Sequence, residues 1–323
     1  MLPRHRQIIS RDGKQECTSV LEVCKEKVII SWMTGQIEIF SSVDLCSQTL
    51  LNYSDYCQST DQSVIVTCVQ CTCTEVIAGY NDGNICVWNI EKGILIHKFR
   101  LGHESGSGGD EDYATQMRRR GTTLVVGTVK GRVKIWQYVS SFEFTCVGSW
   151  DVTDGARIRK LDFSDNYVIL QSHADGSRRV QVKYLNDLQP CRSISGPGFI
   201  YCWALDGNHL ITGHDDKLVR IWDVCTGRCL TDEGLKGHDH DIRAVTAYGG
   251  VFASSDWGGR IIIWSTRAGL LGGTEAMLAS FTHSTFSAGR YGWFSFQLGQ
   301  QFLVRSSLNC DSRSVQVVTD FPW

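Results

Sequence analysis

One short pattern recurs along the chain and constrains its fold more than any other feature. Residues 208–224, NHLITGHDDKLVRIWDV, read as two β-rich runs joined by a turn at Asp215 and Asp216, the second run ending in Trp222-Asp223. Similar units end at Phe40, Trp88, Trp136, Lys183, Trp222, Trp264 and Val318. Their spacings are 48, 48, 47, 39, 42 and 54 residues. A repeat of this size is one supersecondary unit that buries its apolar face only against its neighbours.

Alternating stretches precede the units and predict a further strand each: 63–70, 156–163, 199–205, 241–248 and 291–298. These are expected to be innermost. Weaker outer strands are expected at 94–99, 142–147 and 277–281. Only Thr319–Trp323 follow the last unit, so residues 7–10, QIIS, are expected to supply its outer strand and close the array, removing a free sheet edge. The 4 prolines and 32 glycines suit many strands joined by glycine turns. The Gly-, Ser- and acid-rich stretch 103–113 is expected to be an insertion before the third unit, and 271–274 a smaller one.

The chain resembles the WD-repeat family, with its period of about 40–45 residues and its GH…WD signature. The likeness rests on Ile221-Trp222-Asp223 with Asp216 six residues before the tryptophan, on Trp88 with Asp82, and on Gly237-His238 followed by Trp264. It implies an all-β, seven-bladed propeller, residues 1–323 forming one domain, with Asp82, Trp88, Trp136, Asp216, Trp222, His238 and Trp264 as structural repeat residues. The repeats depart from the pattern. Gly196-Pro197-Gly198 stands where the Trp222 repeat should carry Gly-His, the Lys183 and Val318 repeats lack the aromatic, and Asp256 lies eight residues before Trp264. The family reading has His238 hydrogen-bond inside its blade, with Asp256 the nearest partner.

Net charge is -2, which argues against a nucleic-acid or membrane-surface binder, and no window approaches eighteen consecutive apolar residues. No export signal is seen at residues 1–10, so the 14 cysteines are expected to be reduced and the protein cytoplasmic, nuclear or both. Cys68 and Cys71 form a lone CxxC without a second pair, so no metal is expected. GxSxG, P-loop, HExxH and dinucleotide fingerprints are absent, so neither enzyme activity nor a cofactor is expected. The alternatives are a propeller enzyme with its site at the central channel, or a histone or nucleic-acid reader using Arg118-Arg119-Arg120.

In a propeller the residue before each innermost strand lies on the top face. Alignment puts Ile65, Tyr113, Arg157, Phe199, Asp241 and Tyr291 there, with Arg290 and His240 adjacent. Tyr and Arg are frequent interface anchors. The expected function is a scaffold for a protein or peptide partner, acidic or phosphorylated segments suiting the arginines. Strand patterns such as Val66-Thr67-Cys68-Val69-Gln70 resemble F-box/WD substrate receptors of ubiquitin ligases. That role would need an adaptor segment upstream of Met1 or a different adaptor contact.

Overall fold

The computed structural model describes residues 4–9, 18–24, 27–32, 35–41, 46–56, 64–102, 112–139, 143–152, 155–172, 179–185, 190–231, 233–271, 276–282, 294–298, 302–309 and 312–319. From β1 (Arg4–Ile9) onward nearly all of these are strand or turn. They fall into two compact units, one of residues 10–163 and 168–177, the other of 1–9, 164–167 and 178–323.

The first unit contains three four-stranded antiparallel sheets: β2 (Thr18–Cys24), β3 (Lys27–Trp32), β4 (Gln36–Ser41) and β5 (Ser47–Asn52); β6 (Val66–Cys71), β7 (Glu75–Tyr80), β8 (Asn84–Asn89) and β9 (Leu95–Arg100); β10 (Ala114–Arg120), β11 (Thr123–Thr128), β12 (Arg132–Val139) and β13 (Glu143–Asp151). It also holds β14 (Ile158–Phe163) and all of β15 (Tyr167–Ser172) but its first residue. The second unit contains the hairpin of β16 (Val180–Tyr184) and β17 (Pro190–Ile194). A three-stranded sheet follows, β18 (Ile200–Asp206), β19 (His209–His214) and β20 (Val219–Asp223). Next come β21 (Ile242–Tyr248), β22 (Val251–Asp256), β23 (Arg260–Ser265) and β24 (Met277–Thr282), with a one-turn helix α1 (Thr266–Leu270) after β23. Finally β25 (Phe294–Leu298), β26 (Phe302–Asn309) and β27 (Ser312–Thr319) form a sheet whose outer strand is β1, paired with β27 from Arg4↔Thr319 to Ile8↔Val315 and Ile9↔Ser314. The expected inner and outer strands are all present, each within a few residues of its predicted bounds.

The sheets share one register. Val28 pairs with Phe40, Val76 with Trp88, Leu124 with Trp136, Leu210 with Trp222 and Phe252 with Trp264. A β-bulge precedes the anchor residue in the outer pairing at Ile39/Phe40, Val87/Trp88, Ile135/Trp136, Val182/Lys183 and Ile263/Trp264. The same bulge identifies Lys183 as an anchor although it is not aromatic. A second bulge lies at the start of the innermost pairing, at Val66/Cys68, Ala114/Gln116, Ile158/Lys160, Ile200/Cys202 and Ile242/Ala244. Bulges bend a strand and increase its twist, so the sheets that carry them acquire the same curvature at the same places.

The Trp222 repeat departs from the four-stranded pattern. Gly227 and Gly234, with φ of 71° and 70°, break the segment after β20 into turns. Isolated bridges join Trp222 to Cys229 and Val219 to Leu235, and the Thr231 hydroxyl accepts the Ile221 N–H at 2.9 Å. Backbone groups that a fourth strand would satisfy are thus satisfied by a side chain and two bridges. The expected insertions at 103–113 and 271–274 lie almost wholly outside the described residues, as do Arg290 and Tyr291.

Adjacent sheets meet at glycines. A Cβ on Gly79 would lie 3.0 Å from Cβ of Ala114, one on Gly127 2.7 Å from Cγ2 of Ile158, and one on Gly213 2.5 Å from Cγ2 of Ile242. Each glycine is next to last in the second strand of its sheet, and each neighbour begins or nearly begins the next sheet's innermost strand. Gly213→Ala is therefore expected to destabilise the chain by about 1–3 kcal/mol, the cost of overpacking a filled interior. Chemical denaturation against Leu271→Ala, at a residue 80% exposed, gives the comparison, that variant staying within about 0.5 kcal/mol of the parent.

Candidate functional site

Trp264 and Trp222 are held by hydrogen-bonded chains behind the turns. Trp264 Nε1 donates to Ser254 Oγ at 2.7 Å, Ser254 Oγ lies 2.6 Å from His238 Nε2, and His238 Nδ1 lies 3.0 Å from Asp256 Oδ2. The Asp256 carboxylate only accepts, so Nδ1–H donates to it, which leaves Nε2 of a neutral ring to accept the Ser254 hydroxyl while Oγ accepts the indole N–H. His238 and Asp256 side chains are fully buried. Burial opposes ionisation of Asp256, but hydrogen bonds from His238 and the Arg260 N–H outweigh it and hold the carboxyl below its usual range. His238 and Asp256 thus meet as the sequence implied.

The Trp222 repeat builds the chain differently. Trp222 Nε1 donates to Thr212 Oγ1 at 2.7 Å, and Thr212 Oγ1 lies 2.7 Å from Nε2 of His214. His214 ends β19 where Asp256 ends β22, so the histidine comes from the strand and not from the loop. Gly196 still covers the indole, a Cβ there lying 3.0 Å from Trp222 Cζ2. Burial, with Arg220 nearby, pushes the His214 pKa down to about 4. Asp216 does not join this chain. It binds the buried Arg220 through two bonds of 3.1 and 2.6 Å. Burial again opposes its charge, and Arg220 overrides this, keeping the carboxyl below its ordinary range. In the Trp88 repeat Tyr53 takes the loop position, stacking on Tyr80 at 3.9 Å and donating to Asp82 at 2.8 Å. Trp136 packs against Phe99 at 4.8 Å.

These chains fix the turns to which the innermost strands are tied. The carbonyls of Ile65, Tyr113, Phe199 and Asp241 accept N–H groups of Asn81, Val129, Asp215 and Trp257 at 3.1, 3.0, 3.3 and 2.9 Å. The four aligned residues therefore do occupy one position. Asp215 also accepts the Phe199 N–H at 2.9 Å. Phe199 is exposed, Tyr113 half-buried and Arg157 exposed. His240 is exposed but rests on Gly258, where a Cβ would come within 2.6 Å of Nδ1.

A cluster missed in the sequence includes one of these residues, Asp241. The Arg243 guanidinium lies 4.1 Å from the Tyr201 ring centre and 4.6 Å from that of Trp257, and pairs with Asp241 at 3.3 Å. Trp257 is 42% exposed, so one face of this clamped cation's aromatic partner meets solvent, and Phe199, two residues before Tyr201, is 50% exposed. Tyr201 and Arg243 are the bulge residues of β18 and β21, a position that alternation does not reveal. An aromatic, Trp257, in a turn between two strands was the available signal.

The basic run is tied up within its own unit. Arg119 pairs with Glu75 and lies over Tyr138 and Phe144, and Arg120 pairs with Asp162 at 3.2 Å. Cys68 is buried against Gly79 and its thiol is pushed up to about 12 by burial, so it is a packing residue. No cluster of three or more potential metal ligands occurs among the described residues.

Residues 188–223 match the WD domain, G-beta repeat (WD40). The chain contains a WD repeat. The match ends one residue past Trp222 and covers the repeat with the strand-borne histidine. Short stretches resemble curated proteins: 36% identity over 72 residues to Denticleless protein homolog of Danio rerio, and 32% over 71 residues to Cell division control protein 4 of Saccharomyces cerevisiae. These cover 21% and 22% of the chain but only 11% and 9% of the relatives. The crystal structure of RRP9 WD40 repeats superposes with a TM-score of 0.70 at 18% identity, covering 98% of this chain and 97% of that one. A chain of a mitotic checkpoint complex gives 0.68 at 13%, covering 98% and 91%. The fold is the all-β WD40 fold well beyond the matched repeat.

Ser254→Ala removes the middle of the Trp264 chain and is expected to cost about 1–3 kcal/mol, read by denaturation, because it strands buried donors. His214 gives a pH signature. Its pKa is near 6.5 unfolded and about 4 folded, so its contribution is full above pH 6.5 and declines as pH falls to 4. His214→Asn is expected to remove that decline from the stability–pH curve, leaving losses at lower pH where Asp256 is protonated.

Proposed function

We propose that the chain is a non-catalytic scaffold, a single seven-bladed ring closed by β1, that holds a protein or peptide partner at the end where its innermost strands begin. The pairing of β1 with β27 supports the closure, and the register common to the sheets supports one repeated blade. The observation that carries the binding reading is the half-buried Arg243, held by Tyr201, Trp257 and Asp241, with the exposed Trp257 at its rim and the exposed Phe199 immediately before β18. Exposed aromatics with an arginine supply contact area at low entropic cost, and rigid blades hold the loops that bear them.

His240 extends this face in the proposal, and Tyr113, Arg157, Arg290 and Tyr291 are assigned to it from the sequence alone. Arginine there suits an acidic or phosphorylated segment. A finer proposal is substrate recognition in a ubiquitin-ligase complex, drawn from the resemblance to F-box/WD propellers, in the nucleus or cytoplasm. Affinity purification with partner identification tests the reading. Phe199→Ala with Trp257→Ala is expected to lose the partner at least tenfold while circular dichroism and the melting midpoint stay near those of the parent, and Leu278→Ala, at a residue 54% exposed, keeps it. Retention of the partner by the double variant would contradict it.

A further inference from the structure

The strand β13 stands apart from the other outer strands. It is nine residues long, Glu143–Asp151, whereas β5, β9 and β24 have six and β17 five. Free sheet edges are templates for another strand, and proteins blunt them by shortness, lysine or proline. β9 carries Lys98 and Arg100, and β17 carries Pro190 and Arg192. β13 has none of these, and Phe144 to Trp150 is uncharged. It is last in its sheet, with Thr145, Cys146, Val147 and Ser149 exposed.

Val147 is the residue the bulge leaves unopposed by β12, between Cys146 paired to Trp136 and Gly148 paired to Ile135. Its side chain faces solvent at 61% exposure. The two ends are acidic: Glu143 is exposed, and Asp151 is 71% exposed despite its 3.4 Å contact with Arg132. Antiparallel pairing with a second copy centred on Val147 would set Glu143 opposite Asp151, a like-charge pair at each end. The charges therefore disfavour self-association and favour a strand with basic ends.

We propose that β13 is a second docking site, independent of the Phe199–Trp257 face, that takes an extended segment of another protein as an added strand, with an apolar centre against Val147 and basic residues facing Glu143 and Asp151. Main-chain hydrogen bonds supply affinity in this mode, and alternate side chains supply selectivity.

The test uses two synthetic nine-residue peptides with the same alternating valine–threonine centre, one with lysine at both ends and one with glutamate, titrated against the full chain by fluorescence anisotropy. The lysine-ended peptide is expected to bind and the glutamate-ended one at least tenfold more weakly, with slowed amide exchange in β13. Val147→Lys, which keeps an exposed site exposed, is expected to weaken binding at least tenfold, Val147→Pro to abolish it, and Trp257→Ala to leave it unchanged. Equal binding of the two peptides, binding of neither, insensitivity to Val147→Lys, or dimerisation through β13 would overturn the proposal.

Discussion

The structure depends on how closely one sheet approaches the next. At Gly79, Gly127 and Gly213 the backbone of one sheet meets Ala114, Ile158 or Ile242 of the following innermost strand with no room for a methyl group. Close-packed interiors do not absorb an added methylene without displacing neighbours. The approach also explains the threonine bulge residues. Thr115 Oγ1, at the bulge of β10, is within hydrogen-bond distance of the carbonyls of both Gly127 and Ile158, at 3.1 and 2.7 Å. One glycine and one bulge together set the spacing between sheets.

From that spacing follows the order in which the rest is built. A fixed inner hairpin brings the anchor residue to one register position, and the polar chain behind it secures the turn. Three chemistries do this in three repeats: His238 with Asp256 and Ser254, His214 with Thr212, and Tyr53 with Tyr80 and Asp82. The requirement is a rigid turn, not a particular residue. With turns secured, the residues opening the innermost strands are presented at fixed positions, and Arg243 lies clamped between Tyr201 and Trp257.

Much of this was legible in the sequence because the strand–turn–strand unit repeats, so errors in one unit are corrected by the others. Pairing of the His238 loop with Asp256 was legible only through the resemblance to WD repeats, which implies a histidine bonded within its blade and leaves Asp256 as the nearest turn aspartate. Other features were not. His214 moved from loop to strand, so the Trp222 repeat looked as if it lacked a histidine. Tyr53 does by stacking what histidine does by charge-assisted bonding. The bulges at Ile200/Cys202 and Ile242/Ala244 each add a residue that alternation cannot register, which hid Tyr201 and Arg243. Thr231 replaced a strand's backbone bond with its side chain, so a missing fourth strand left no gap in polarity.

In the proposed function the turns and bulges present Phe199 and the Trp257–Arg243 cluster to a partner. Oxidative footprinting of the chain, free and with its purified partner, measures this directly. Labelling of Trp257 and Phe199 is predicted to fall on binding while labelling of Leu278 and Tyr248, exposed elsewhere, is unchanged. Undiminished labelling of Trp257 and Phe199, with protection confined to other residues, would contradict the account.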